Sequence, residues 1–258
     1  MKKAIITEHQ HSKLIQQHTK ELRKSPYGRR DFEMMKEMLS TGYIDNVEMV
    51  FTMLKNYPTV LERLIRTTFG DLLSLAGLEV SKEGIVKLIN LEYLHINHKQ
   101  LTSLPESIRL LQKLEILSLD ENQLTSLPES IGELRSLKNL DLNENQLTSL
   151  PESLGNLQNL KRLYLSDNKL TVLPESLGNL QNLEWLFLSK NQLTSLPESL
   201  GNLQNLEWLI IRNNDEITSL PESFRNLQKL KRLACSVHLP DSEMKKIKQL
   251  LPNCEVTY

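Results

Sequence analysis

The stretch NQLTSLPES occurs at residues 122–130, 145–153 and 191–199, and a near copy occurs in each of three further segments. The copies belong to a longer unit, L-x-x-L-x-L-x-x-N-x-L-x-x-L-P-x-x-I/L-G-x-L-x-x, which recurs every 23 residues. Self-similarity at a fixed period of this length predicts a solenoid in which each repeat packs against its neighbours. The units begin at Leu91, Leu114, Leu137, Leu160, Leu183 and Leu206, and a divergent seventh begins at Leu230.

Each unit is predicted to fold only together with its neighbours. Its seven inward-facing apolar positions contribute about 10 to 20 kcal/mol when buried. Ordering the backbone of one unit costs more, roughly 23 to 46 kcal/mol. The L-x-L segment predicts a short strand that pairs in parallel with the next unit. The P-E-S-I/L-G-x-L segment predicts a bulkier helical turn on the other side, so the stack should curve with its strands on the concave face.

This pattern resembles the leucine-rich repeats, specifically the 23-residue LPxxIG type of Ras-associated, plant intracellular and many bacterial proteins. The resemblance covers about the C-terminal two thirds of the chain. The ending LLPNCEV is similar to the close of many bacterial members. The fold implied is an α/β solenoid with a parallel concave sheet, an N-terminal helical cap and a C-terminal cap of one helix and one strand. Because the family binds diverse partners, the resemblance leaves the partner open.

The repeated phrase itself is interpreted as scaffold. Its asparagines are predicted to turn inward and bond backbone groups left open where the strand ends, and Lys99 interrupts this row in the first unit. The proline is predicted to occupy the first position of the helical turn. The alternative of a catalytic or ion-binding array of Ser and Glu is disfavoured, because no base recurs beside them. The predicted structural ladder is Asn122, Asn145, Asn168, Asn191 and Asn214.

The units differ most within the strand, where residues that alternate with the buried leucines are predicted to project from the concave face in three columns. The predicted protein-binding residues are Tyr93, His95, Ile116, Asp120, Asp141, Arg162, Tyr164, Trp185, Phe187, Trp208, Ile210 and Arg212. The other members of the columns are Asn97, Ser118, Asn139, Asn143, Ser166, Ser189, Arg232, Ala234 and Ser236.

Five large apolar side chains are expected to gather on this exposed surface: Trp185, Trp208, Tyr164, Phe187 and Ile210. Contiguous exposed aromatic residues are typical of interaction sites, so the predicted partner is a protein or peptide with an apolar anchor. The alternative is that these rings only stack on one another, which stabilises a solenoid by roughly 0.5 to 1.5 kcal/mol per pair. An acidic stretch beside them, which favours a basic segment in the partner, consists of Asp120, Glu121, Asp141, Glu144 and Asp167.

Both open ends of such a stack need a cover. At the C-terminal end, Asp241 or Ser242 is predicted to cap a helix, and a last short strand is expected around Cys254 and Val256. The apolar side of this helix would consist of Met244, Ile247, Leu250 and Leu251. Cys254 is expected to be a small buried residue rather than a reactive thiol.

Three helices are predicted before the repeats. The first is capped by Asp31 and ends at Gly42, the second contains Val47 and Leu54, and the third begins at Pro58 and ends near Gly70. Residues 78–90 resemble half of a repeat whose sequence has diverged. The predicted domains are a polar segment (1–30), a helical cap or module (31–77), the repeats (78–238) and a C-terminal cap (239–258).

Composition excludes several classes of function. The net charge of −1 argues against nucleic acid. With no secretion signal or membrane-spanning stretch and only two cysteines, a cytoplasmic location is expected. A single disulfide between Cys235 and Cys254 stays open. A metal site at His9, His11 and His18 is disfavoured, and His95 and His98 are assigned to contacts at the rim.

Three classes of function follow. The favoured one is a non-catalytic interaction module without a cofactor, most simply a monomer. The second is the recognition part of an effector or enzyme system, although the residues outside the repeats show no phosphate loop, metal spacing or cysteine. The third is a structural protein that self-associates through its aromatic surface.

Overall fold

The structure, a computed structural model, describes residues 29–39, 47–48, 50–51, 54, 58–79, 81–235 and 239–257. The chain divides into two compact units, Met1–Ile89 and Asn90–Tyr258. In the described part of the chain, no helix is long and apolar enough to cross a membrane. The predictions that concern His9, His11, His18, Gly42 and Ser236 lie outside the described residues.

The N-terminal unit contains the helices α1 (Arg29–Leu39), α2 (Pro58–Leu75) and α3 (Lys82–Ile89). Residues 47, 48, 50 and 51 are also helical, where the second helix was predicted. Because α1 already begins at Arg29, Asp31 lies within its first turn and is not the cap. The buried apolar residues of this unit include Met35, Leu39, Val47, Val50, Leu54, Leu64, Ile65 and Phe69.

Helix α2 continues for five residues beyond the predicted end at Gly70. Its apolar face carries on through Leu72 and Leu73, which are fully buried, so packing outweighs the weak helix propensity of glycine. The helix ends where Gly77 adopts a left-handed conformation with φ of 65°. There the backbone N–H of Leu78 donates to the carbonyl of Leu73 at 2.8 Å, as in a Schellman C-terminal cap.

The second unit is built on an open parallel sheet of eight strands in sequential order. One three-residue strand comes from each repeat, and the last comes from the C-terminal segment, which confirms the predicted solenoid architecture. The strands are β1 (Tyr93–His95), β2 (Ile116–Ser118), β3 (Asn139–Asp141), β4 (Arg162–Tyr164), β5 (Trp185–Phe187), β6 (Trp208–Ile210), β7 (Arg232–Ala234) and β8 (Glu255–Thr257).

A short 3₁₀ helix follows each of the first six strands. The proline was predicted as the first helical residue, but it precedes the helix: Pro128, for example, is extended with ψ of 150°. Its carbonyl accepts the first helical hydrogen bond from the N–H of Ile131 at 3.0 Å, which makes the proline the N-cap residue. The six helices are Glu106–Leu110, Glu129–Glu133, Glu152–Asn156, Glu175–Asn179, Glu198–Asn202 and Glu222–Asn226.

The repeated asparagines lie inside the stack with nearly identical bonds. In the fourth repeat, the side-chain amide of Asn168 donates to the carbonyls of Leu142 and Leu165 at 2.9 and 3.2 Å. Its oxygen accepts from the N–H of Leu147 at 2.9 Å, so each asparagine joins its own repeat to the preceding one. Near Lys99, the backbone N–H of that lysine donates to Asn122 at 3.0 Å, and the lysine side chain is exposed.

The C-terminal segment forms α4 (Asp241–Leu250) and then β8, which pairs with β7. Pro240 occupies the N-cap position and no side chain bonds the free amides, so neither Asp241 nor Ser242 caps the helix as predicted. Ile247 and Leu251 are buried, whereas Met244 and Leu250 are only partly so. Cys235 and Cys254 are free thiols.

Candidate functional site

The sheet register aligns the first two predicted columns strand by strand. Arg162 is opposite Trp185 and Trp185 is opposite Trp208, while Phe187 is opposite Ile210. We use the term strand face for the side of the sheet that carries the three columns, from Tyr93 in β1 to Arg232 in β7. Because the strands run in parallel without slippage, neighbouring members of a column are one strand spacing apart, about 4.8 Å.

The strand face is exposed at one end and partly exposed elsewhere. Tyr93 is 53% exposed, and the other eleven predicted binding residues are all at least partly exposed. Two further members of the second column are buried against expectation, because both are small. Ser118 donates its hydroxyl to the carboxylate of Asp120 at 3.0 Å, and Ala234 is 2% exposed.

A stack of two arginines and two tryptophans runs along the first column. The guanidinium carbon of Arg162 lies 4.4 Å from the ring centroid of Trp185, and that of Arg232 lies 5.5 Å from the ring of Trp208. The two indole rings are 5.6 Å apart. Each tryptophan therefore has an arginine as one neighbour and the other tryptophan as the second. The arginines are held there because the quadrupole of an indole ring attracts a cation over its face. We call these four residues the arginine–tryptophan stack.

The second column adds rings beside this stack. Phe187 lies parallel to Trp185, with centroids 6.1 Å apart, and meets Tyr164 edge-on at 5.2 Å. The aromatic side chains therefore do stack on one another, as the structural alternative predicted. They nevertheless remain partly exposed, as does Ile210. We use the term platform for these five apolar side chains, which are held by their mutual contacts on a surface that faces solvent: Tyr164, Trp185, Phe187, Trp208 and Ile210.

Acidic side chains lie on the strand face before the platform. Burial raises the pKa of Asp141; a hydrogen bond from the N–H of Asn143 opposes the shift, and the charge of Asp120 adds to it. Two neighbouring acids have partners of the basic residue types: Glu121 contacts His98 at 2.8 Å and Asp167 contacts Lys190 at 3.0 Å. Among the described residues, no basic side chain forms a direct ion pair with Asp120, Asp141 or Glu144, although Lys190 interacts with Glu144 at longer range. Acidic side chains therefore outnumber basic ones at this end of the face.

One group on this end has the donor types of a metal site. His98, Asp120 and Glu121 each offer a ligand atom, and these atoms lie within 4.8 Å of one another. Imidazole and carboxylate donors suit several divalent metals. The three side chains are exposed or partly exposed, and His98 already pairs with Glu121. We call these three residues the acidic corner of the strand face.

Basic side chains lie on the opposite side of the platform. A guanidinium nitrogen of Arg212 donates to the hydroxyl of Thr257 at 3.0 Å. Since Ile210, Ala234 and Thr257 are opposite one another in successive strands, Arg212 reaches across β7, where the small side chain of Ala234 leaves room. The buried Nε atoms of Arg162, Arg212 and Arg232 have no hydrogen-bond partner.

A row of ion pairs at the start of the strands was missed by the sequence analysis. Its pairs are Glu115 with Lys138 at 2.7 Å, Lys161 with Glu184 at 3.1 Å and Glu207 with Lys231 at 2.8 Å. The signal was available in the residue that precedes each of the first seven strands, which is glutamate before β1, β2, β5 and β6 and lysine before β3, β4 and β7. The opposite charges in these pairs neutralise one another. The row therefore forms a charge-paired edge beside the strand face.

The two thiols contribute no reactive group. Burial raises the pKa of both Cys235 and Cys254 to about 11. A thiol with such a pKa is protonated at neutral pH and is therefore a poor nucleophile.

The sequence was compared with families and with known proteins. The family model described as "Leucine-rich repeat region" matches residues 72–166, 111–191 and 174–252. Together these matches extend over well more than half of the chain. No curated protein matches.

Several solved structures resemble the chain. A leucine-rich repeat protein of Leptospira interrogans is 32% identical, with a TM-score of 0.45, over 68% of this chain and 57% of that one. The plant peptide hormone receptor RGFR1 in complex with RGF2 is 36% identical, with a TM-score of 0.52, over 57% of this chain and 25% of the receptor. The leucine-rich repeat domain of the type III effector XopL is 22% identical, with a TM-score of 0.55, over 100% and 97% of the two chains. The chain thus spans under two thirds of the first two of these proteins.

Proposed function

The chain belongs to the leucine-rich repeat family, and on that premise we propose that it is a non-catalytic module that binds a protein or peptide on its strand face. The observation that carries the proposal is the arginine–tryptophan stack, which remains partly exposed in the middle of that face. Tryptophan, tyrosine and arginine are the residues that most often dominate the energy of protein interfaces.

The packing of the platform favours binding over a purely structural role. The leucine core beneath the strands is complete, and residues such as Leu163, Leu186 and Leu209 are fully buried without help from the strand face. Rings that are already held by their neighbours lose little side-chain entropy when a partner covers them. The platform is therefore preorganised, and the stacking that the alternative invokes would also strengthen binding.

Similar structures support a peptide partner in general terms. The receptor RGFR1 is a peptide hormone receptor solved in a complex, and over 57% of this chain the two are 36% identical. The residues that would contact a partner in this chain are those of the strand face. We propose the twelve predicted binding residues as that contact surface.

The decisive test is the double substitution Trp185→Ala with Trp208→Ala. Partners would be captured with the wild-type chain, purified, and measured against both proteins by calorimetry. We expect the double variant to weaken binding by about 2 to 4 kcal/mol, because truncating central aromatic residues removes most of a hot spot. Unchanged affinity for every purified partner would show that the strand face is not the binding site.

A matched control comes from Val172, which is 56% exposed. This residue replaces the serine that most other repeats carry in the same position, so Val172→Ser restores the shared phrase. The control should leave the affinity unchanged and, like the double variant, should retain the circular dichroism spectrum of the wild type. A control variant that loses affinity as well would point to a general loss of structure.

Self-association is the competing use of the same platform. Mass would be measured across a range of concentrations for the wild type and for Trp208→Ala. Under our proposal the wild type stays monomeric at every concentration. A concentration-dependent dimer that disappears in Trp208→Ala would favour self-association instead.

Two finer assignments accompany the proposal. We place the chain in the 23-residue LPxxIG class, because six successive units keep that pattern, and among its bacterial members, because of the ending LLPNCEV. We also propose that it works in the cytoplasm without catalytic activity or cofactor. Turnover by the purified chain would contradict the second assignment.

A further inference from the structure

The strand face carries mainly acidic residues before its aromatic platform and two arginines after it, and Arg162 in β4 lies between the acidic residues and Trp185. Asp120 and Asp141 lie in or next to β2 and β3, and they have no cationic partner among the described residues. Arg212 and Arg232 lie next to or in β6 and β7, and both keep an Nε atom without an acceptor. A surface with separated charges of opposite sign selects partners by orientation as well as by affinity.

The acidic side is poorly neutralised in the isolated chain. Ser118 donates its hydroxyl to the carboxylate of Asp120, and the backbone N–H of Asn143 donates to that of Asp141. Burial, and to a smaller extent the charge of Asp120, raises the pKa of Asp141, so its ionised form is disfavoured in the isolated chain. A cation brought by a partner would supply a compensating charge, and the ring of Tyr164 beside Asp141 in the second column offers a face for the same cation.

The basic side is held in place but keeps free hydrogen-bonding capacity. Arg232 is fixed over Trp208, and Arg212 is fixed by its bond to Thr257. A guanidinium has five N–H donors, so neither contact exhausts it. Carboxylates bind such groups through short charge-assisted hydrogen bonds, and a preset guanidinium loses little freedom on binding.

We infer that the partner is a peptide segment with a basic side chain and a carboxylate on opposite sides of an apolar anchor. The basic group binds at Asp120 and Asp141, the anchor covers Trp185 and Trp208, and the carboxylate binds at Arg212 and Arg232. This inference rests on the proposed function and adds the chemistry of the partner and its orientation across the strands.

The strand spacing fixes how far apart the three groups must be. From β3 to β7 there are four strand spacings, which amount to about 19 Å. An extended peptide covers about 3.3 Å per residue, so the basic and acidic groups should be about six residues apart. The platform is centred between β5 and β6, which places the anchor about four residues from the basic group and about two from the acidic one.

The experiment uses three synthetic peptides with one tryptophan anchor at the stated spacing. The mixed probe carries an arginine and a glutamate at its two ends, the basic probe carries two arginines, and the acidic probe carries two glutamates. Affinity for the full chain is measured by fluorescence anisotropy at low and high salt. We expect the mixed probe to bind at least about tenfold more tightly than either same-sign probe at low salt, with the gap shrinking at high salt.

Charge reversal makes the assignment of each end specific. The variant Asp120→Lys with Asp141→Lys should prefer the acidic probe, and Arg212→Glu with Arg232→Glu should prefer the basic probe. Each variant serves as the folding control of the other, because a variant that gains affinity for one probe is folded. If neither variant changes its preference, or if the mixed probe has no advantage in the wild type, the inference is overturned.

The outcomes distinguish this inference from the proposed function. If all three probes bind equally and Trp185→Ala with Trp208→Ala abolishes their binding, the platform binds peptides and the charge arrangement does not select them. If purified natural partners bind the tryptophan variant as tightly as the wild type, the proposed function itself fails.

Discussion

The asparagine ladder and the arginine–tryptophan stack are both rows with one residue per repeat, yet they differ in what varies along them. Each ladder asparagine is buried and repeats the same bonds to its own repeat and to the previous one, as Asn145 and Asn191 show. The stack changes residue type from Arg162 to Trp185 and again from Trp208 to Arg232. A position whose side chain bonds its own repeat and the preceding one tolerates one residue type, whereas a position on the strand face can vary and contact a partner.

The largest expected effect is in the ladder, for Asn168→Ala. The change leaves the buried N–H of Leu147 without an acceptor and removes one of the two asparagine donors to each of the carbonyls of Leu142 and Leu165. We expect the free energy of unfolding to fall by about 3 kcal/mol, measured by urea denaturation. The matched control is Asn182→Ala, which loses one exposed bond to the carbonyl of Gln158 and should cost well under about 1 kcal/mol.

Equal losses of stability for Asn168→Ala and Asn182→Ala would contradict this comparison, because a place in the ladder would then make no difference. A loss of stability in Asn168→Ala with an unchanged dependence of the unfolding free energy on urea concentration would instead support the comparison. In that case the ladder stabilises the whole unit rather than one local turn.

The next effect concerns the glycine of the shared pattern, through Gly155→Ala. A Cβ atom there would lie 2.3 Å from the backbone oxygen of Ser176 in the following repeat, so two repeats would have to separate. We expect a loss of about 2 kcal/mol, as for other overpacked sites. In the sixth repeat Arg225 stands at this position, and Arg225→Ala removes only an exposed ion pair with Glu222 and a hydrogen bond to the Glu222 carbonyl, so it should cost much less. A small loss at Gly155 would show that the repeats are not in tight contact.

The shared half of the repeat could be predicted from sequence, because its period decides its environment. Leucine spacing fixed which residues of β1 to β7 face outward, and it placed Trp185 beside Trp208. The spacing does not determine where a long side chain goes after leaving the sheet. Hence the contact of Arg162 with an indole, the reach of Arg212 to Thr257 and the pairing of Lys161 with Glu184 were not foreseen. The end of α2 was misplaced because burial of Leu72 outweighed a local signal at Gly70.

A smaller effect is expected on the strand face for Asp141→Asn. The pKa of Asp141 is raised in the folded state, mainly by burial, so ionisation of this group destabilises the fold. Stability from the protonated form is present at low pH and is lost as the pH rises through the folded-state pKa. The asparagine variant should therefore be more stable than the wild type near neutral pH, by less than the loss at Gly155, and the advantage should vanish near about pH 3. Urea denaturation at both pH values measures it; an equal advantage at both would exclude ionisation as the cause.

The smallest effect lies in the turn between strand and ladder, where each residue before the asparagine is left-handed. Glu144 has φ of 52° and Asn213 has φ of 56° at equivalent positions. Asparagine tolerates this conformation better than glutamate, so Glu144→Asn should stabilise the protein by about 0.5 kcal/mol and Asn213→Glu should destabilise it by a similar amount. Opposite shifts in the urea midpoint would show that the turn is constrained by the backbone alone. Shifts in the same direction would mean that the charge of Glu144, and hence its place beside the strand face, decides the stability of the turn.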